Sequence, residues 1–314
     1  NGKFSEAFQQ SLGFQTNSIN FIFHKTIIII DKNPINYLVF TNLYIACCAV
    51  AFAAATELWL GFTPILDALD GFIFCGTLSS YTLHRLYGFS HPSPFHQSVV
   101  QWSLQKKELF YGLFLLSIIG CLGFFFFLST AVQWFLVWFG FLTLFYSVPL
   151  YFGSKSKRLK EFPGLKIFLI AYVWAGVGVL LPIVAHNIPV FSWSSQSILL
   201  ERALFVLVIT LPFDIRDIKL DQEEGIATIP SKIGIIKTKI LGLGLLVIAL
   251  LLNYYNLQNT TLSLSAWWFF FGFYGITAVG LLNASPTRSD LYCLFWMDGL
   301  FILFYFIVKF GVEV

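Results

Sequence analysis

The sequence predicts an all-α membrane protein, a bundle of about nine transmembrane helices. The chain has 314 residues, 57% of them hydrophobic and only 11% charged, with a mean hydropathy of +0.78. A soluble domain carries about 25% charged residues, so most of this chain must face something other than water. Its apolar runs approach bilayer length, and basic residues crowd into alternate breaks between them.

In chain order, residues 1–36 are mixed polar and aromatic and form a segment separate from the 37–314 domain. No apolar run there leads into a small-residue cleavage site, so a signal peptide is not expected. "INFIFHKTIIIIDKNP" is too short to span and predicts a helix on the membrane surface, ending before Pro34. The spans then fall at about 37–56, 65–84, 108–128, 131–150, 165–185, 197–213, 238–254, 265–283 and 291–311, each near the roughly 20 residues a bilayer requires. Pro, Gly, Ser, Asn and charge clusters separate them.

Lysine and arginine set the orientation, because cytoplasmic loops retain them. Loops after even-numbered spans hold Arg85, Lys106 and Lys107, then the 155–166 cluster, then Arg216 to Lys239, then Arg288; the odd-numbered loops contribute only Arg202. The N-terminus and the even-span loops are therefore expected on the cytoplasmic side of a plasma (inner) membrane. Charged groups gathered at one mouth of an apolar bundle suit a charged head group on an apolar tail. Nucleic acid is not an expected partner.

The stretch "LPFDIRDIKLDQEEGIATIPSKIG" lies at that mouth. Asp214, Asp217 and Asp221 fall at i, i+3 and i+7 and share one face of a continuing helix. Carboxylates so placed repel unless something positive offsets them. One reading is a hard cation such as Mg²⁺, which takes one or two carboxylates plus substrate phosphates. The other is a solvated loop whose acids pair with Arg216, Lys219 and Lys232.

The segment resembles the second aspartate-rich motif of the UbiA superfamily of intramembrane prenyltransferases, with Asp217, Asp221, Gly225, Thr228, Pro230 and Gly234 matching in turn. "FYSVPLYFGSKSKRLKEFPGLK" is similar to that family's Tyr-x-x-Pro, Lys-Arg and Pro stretch after its fourth helix, with Lys157 and Arg158 at the basic pair. The resemblance covers about residues 37–314 and implies nine helices around a lateral apolar tunnel. It also implies Asp217 and Asp221 as catalytic Mg²⁺ ligands with Asp214 nearby, and transfer of a prenyl group from a prenyl diphosphate to an aromatic or lipid acceptor. The family's first motif, N-D-x-x-D, is missing: "GTLSSYTLHRLYG" has no carboxylate. His84 and Arg85 stand there instead. Arginine makes bidentate phosphate contacts, so Arg85 and His84, with Lys157 and Arg158, are expected to bind the diphosphate. Alternatively, Arg85 pairs with Asp217 or Asp221, and the chain is a noncatalytic subunit that binds lipid or quinone or scaffolds a membrane protein complex.

Other signals carry less. Asp298 in "FWMDGLFILFYF" is an acid in mid-span, which implies a partner or a proton path, or a carboxylic acid hydrogen-bonded across the bundle. Asp67 and Asp70 in "DALD" sit at a helix start, where the dipole favours them, on the far side from Asp217. His91 and His96 match no common zinc spacing. The five cysteines sit in apolar runs without partners. The 37 phenylalanines read as ordinary lipid-facing residues. No internal repeat supports a secondary transporter.

Overall fold

The computed structural model describes residues 33–90, 98–147, 150–152, 155–157, 164–223, 225–260 and 264–313; the surface helix expected before Pro34 lies outside them. One compact unit runs Pro34–Val314. Helix α1, Pro34–Phe40, opens on a proline at the position where its missing N–H costs nothing. It meets α2, Leu43–Trp59, at a 70° bend, where Asn42 takes a left-handed conformation (φ 67°). The first expected span is thus two pieces.

Helix α3, Ala68–Ser90, starts where Asp67 Oδ1 accepts from the amides of Leu69 and Asp70 at 2.7 and 3.2 Å. A short α4, Ser98–Leu104, precedes α5, Lys107–Phe125, and α6, Thr130–Ser147. The loop after α6 departs from all-α: β1, Leu150–Phe152, pairs antiparallel with β2, Lys155–Lys157. Helix α7, Leu165–Ala175, continues through a π turn, Gly176–Leu180, into α8, Leu181–Ala185. Then come α9, Trp193–Arg216, and the short α10, Ile218–Glu223, and α11, Ile229–Ile233. The chain ends with α12, Ile235–Leu257, α13, Trp267–Leu282, a π turn at Tyr292–Met297, and α14, Leu300–Glu313.

Each expected span falls on a helix, but the count of nine is not reached on length and apolarity alone. Four stretches qualify, Lys107–Phe125, Leu165–Ala185, Ile235–Leu257 and Tyr292–Val312, and the bent α1–α2 pair makes a fifth candidate. Two helices fall short because they carry polarity inward. α3 brings Ser79, Ser80, His84 and Arg85 to an internal cavity, and α9 brings Asp214 to the same place.

Helix α3 packs on α5, α9 on α7 and α12, and α14 on α2. Between lipid-solvated helices the driving force is close packing rather than escape from water. Aromatic rings supply it here: Phe52 meets Phe301 at 4.8 Å, and Phe205 meets Phe301 at 5.8 Å between centroids. The outer faces stay apolar and uncovered, as at Leu115, Leu116 and Leu122 of α5.

Arg202, assigned to an odd-numbered loop although it falls within the expected span 197–213, is not a loop residue. Arg202 lies inside α9, fully buried, paired with Glu201. Glu201 also accepts from Asn253 and Asn256 of α12, both at 3.1 Å, and from Tyr274 of α13 at 2.7 Å. With Arg202 removed from the odd-numbered loops, the basic bias becomes complete.

Candidate functional site

A cavity of about 670 Å³ is lined by α2, α3, α4, α5, α6, α7, α9 and the start of α14, within the range of small-ligand sites. Phe72 and Ile73 line it near the start of α3, and His84 and Arg85 near the end. At 1.5 Å per residue those levels are roughly 20 Å apart. Charged groups therefore gather at one mouth and apolar rings at the other end.

At the mouth the carboxylates are already engaged. The Lys166 ammonium, on the first turn of α7, lies 2.9 Å from Asp214 Oδ1 and 3.3 Å from Asp221 Oδ1. It donates to both oxygens of Asp221, whereas its approach to Asp214 Oδ1 is off the hydrogen-bond direction and is a charge contact. Arg216 holds its neighbour Asp217 through Nε at 2.8 Å and Nη2 at 3.0 Å. Its Nη1 stands 3.5 Å from Asp290 Oδ1.

The three aspartates expected on one helical face do not converge. α9 ends at Arg216, with Asp217 as the capping residue, and Asp221 sits on the separate α10. Asp214 and Asp221 still meet at Lys166, while Asp217 turns to Arg216. Two loops make that meeting possible: the Gly164 amide donates to Ala227 carbonyl at 3.2 Å, tying the turn before Lys166 to the turn after Asp221. Gly225 in the latter has φ 67°, a conformation open to glycine at little cost. The Ile226 amide then closes back on Asp221 carbonyl at 2.7 Å, and Ser231 Oγ accepts from the Thr228 amide at 2.9 Å to start α11. Burial pushes the Asp221 carboxyl up to about 6, with the Asp214 charge adding and Lys166 opposing.

In the stretch that lacks carboxylates, Ser79, Ser80, Tyr81, His84 and Arg85 line the cavity. Ser79 and Ser80 hydroxyls donate to Gly76 carbonyl on their own helix at 2.9 and 2.8 Å. Thr82 is engaged elsewhere and accepts from Asn42 at 3.4 Å. His84 meets Tyr146 edge-on at 5.3 Å. Lys157 lies on β2 opposite Leu150; Arg158, His91 and His96 lie outside the described residues. Lys166 and Asp290 escaped sequence reasoning. The signal for Lys166 was a lone cation opening the apolar run "LKIFLIAYVW".

As the side chains stand they do not fit Mg²⁺. Asp217 is bound by a guanidinium, Asp214 and Asp221 share an ammonium, and no three His, Cys, Asp or Glu side chains among the described residues form a metal-holding group.

No protein-family model and no curated protein matches the chain. Solved structures do. The chain superposes on a digeranylgeranylglyceryl phosphate synthase with a TM-score of 0.58 at 13% identity, covering 90% of this chain and 99% of the other. A UbiA homologue from Archaeoglobus fulgidus bound to GPP and Mg²⁺ gives 0.61 at 12% identity, covering 89% and 100%. The apo UbiA homologue from Aeropyrum pernix K1 gives 0.59 at 14% identity, covering 89% and 98%. At this identity the likeness is one of fold, and the fold expected from the second aspartate motif is the one observed: an integral membrane bundle of the UbiA type.

Proposed function

We propose that this chain transfers a prenyl group from a prenyl diphosphate to a membrane-soluble acceptor. The observation that carries the reading is a cavity with a charged mouth and an apolar interior of prenyl length. The GPP bound to the Archaeoglobus fulgidus homologue of the same fold supports a prenyl diphosphate as first substrate.

In this reading the diphosphate sits at the mouth, facing the cytoplasm, against Arg85, His84 and Lys166. The prenyl tail lies along Phe72, Ile73 and Phe139. A guanidinium and an ammonium held in a water-poor site stabilise charge that builds on the leaving diphosphate. Asp217 and Asp221, which the motif resemblance makes metal ligands, act here by holding Arg216 and Lys166 in position. Trp174 and Phe301, stacked at 4.5 Å and lining the cavity, offer π faces to an allylic cation. Lys157 and Arg158 keep the diphosphate-binding role that the motif resemblance implies. Because the carboxylates do not fit Mg²⁺ as they stand, the fixed cations carry the charge balance.

One observation favours a second reading, a noncatalytic subunit that holds a lipid or quinone: each acid of the motif already has a cation, as in a structural seam. Binding of farnesyl diphosphate to the purified protein in lipid nanodiscs, with EDTA and with Mg²⁺, separates these accounts. The expected result is binding in EDTA that weakens at least about tenfold in Arg85→Ala and in Lys166→Met, the scale of losing one charge-assisted contact. No binding under either condition ends the transfer reading. Binding only with Mg²⁺ keeps the substrate and ends the fixed-cation account. Binding without diphosphate release, on addition of membrane lipid extract, selects the noncatalytic subunit.

A further inference from the structure

Among the described residues that line the cavity, Asp298 is the one charged group that the mouth chemistry does not use. It lies between the π turn Tyr292–Met297 and α14, and such turns concentrate at functional sites. The residue is 7% exposed, yet it lines the cavity. Among the described residues its carboxylate has no hydrogen bond or ion pair. The groups that act on it electrostatically are Tyr44 and Cys48 of α2, Tyr81 of α3, Arg216 of α9 and Cys293 of the π turn. None of them satisfies it. Tyr44 donates instead to Phe295 carbonyl at 3.2 Å.

An unpartnered carboxyl facing an apolar cavity is costly. A ligand O–H both donates to a carboxyl and accepts from it, and so removes that cost in either protonation state, whereas an ether only accepts. Asp298 is also displaced from Arg85: it acts on Tyr81, which precedes Arg85 by four positions on α3, about one helical turn. A head group at Arg85 and Lys166 leaves this level of the cavity for a second molecule or for the far part of the first.

We infer that Asp298 is the specificity-determining hydrogen-bond acceptor for the second substrate, and that this substrate carries an O–H group, as a phenol or an alcohol does. The inference rests on the transfer reading for the words "second substrate". The contact itself does not. An O–H donor fits the chemistry of the site, since a hydroxyl oxygen or a hydroxyl-activated aromatic ring captures an allylic cation.

The test compares 4-propylphenol with 4-propylanisole, which differ in the O–H alone, by competition binding to the purified protein in nanodiscs. Asp298→Leu is similar in volume and suited to a lipid-embedded helix; Asp298→Asn keeps an accepting oxygen. Differences between wild type and variants cancel partition of the probes into lipid. The wild type is expected to prefer the phenol at least about tenfold, the scale of a missing partner for a buried polar group. The preference should vanish in Asp298→Leu and survive in part in Asp298→Asn, while farnesyl diphosphate affinity stays within about twofold in all three. Equal affinity for the two probes in wild type, or a preference that persists in Asp298→Leu, overturns the inference. Loss of farnesyl diphosphate binding in every protein, with the phenol preference intact, ends the transfer reading and leaves the Asp298 contact standing.

Discussion

Lys166 serves two acids, Asp214 at 2.9 Å and Asp221 at 3.3 Å. The Asp221 carboxyl is raised to about 6, chiefly by burial, with Asp214 adding and Lys166 opposing. Above that pH Asp221 is ionised and draws on the ammonium. Below it Asp221 is neutral, and Lys166 answers to Asp214 and to an incoming anion. Farnesyl diphosphate affinity is therefore expected to rise as pH falls from about 7.5 to about 5.5, by an amount set by one charge. In Asp221→Asn this part of the pH dependence should disappear. The phosphate's own titration is common to both proteins, so the difference between the two binding curves isolates Asp221. For stability the sign follows from the same shift: a carboxyl raised above its ordinary value of 3.8 loses stability as pH rises through about 6, not as it falls. The motif residues were legible in the sequence as types, but their partners were not. Asp221 and Lys166 are separated by 55 positions, and spacing reports only neighbours on one element.

Helix α9 carries two charged centres, and they answer to different demands. Asp214 at its end faces the cavity and Arg216 holds Asp217 there, whereas Glu201 and Arg202 are fully buried near its start. There Arg202 sits over the Phe304 ring at 4.0 Å and the Trp59 ring at 4.9 Å. Ser197 donates to Asn256 Oδ1 at 2.5 Å, so the network joins α9, α12 and α13 and reaches α2 and α14. Removing one member of a buried pair strands the other charge, at a cost of roughly 3–5 kcal/mol. Glu201→Gln should thus lower the thermal transition of the detergent-purified protein sharply. The double change Glu201→Gln with Arg202→Met, which leaves no charge behind, should recover most of the loss. Equal transitions for the single variant and wild type would show that the pair is not a clamp. This centre was invisible in the sequence because its partners Asn253, Asn256 and Tyr274 lie 52, 55 and 73 positions from Glu201. The hydropathy signal that located the spans is the same signal that these two residues interrupt.

The bundle as a whole was legible where one property sufficed. Apolar length located the helices, and the Gly225–Thr228–Pro230 pattern located the turns after α10, since each depends on local chemistry alone. The bend at Asn42, the ribbon at Leu150–Lys157 and the pairing of Arg216 with Asp290 depend on contacts across the fold, and no run of residues encodes them. Orientation is the one whole-molecule property that still rests on charge statistics. It gains from the burial of Arg202, which removes the only basic residue from the opposite face. Lys219 is exposed beside the mouth, and Phe191 is 93% exposed in the turn between α8 and α9. Lysine and arginine are retained on the cytoplasmic side, so Lys219→Cys should react with a membrane-impermeant maleimide only in inverted vesicles. Phe191→Cys should react only in intact cells. The reverse pattern would put the charged mouth outside, where a cytoplasmic prenyl diphosphate cannot reach it, and the transfer reading would fall with the orientation.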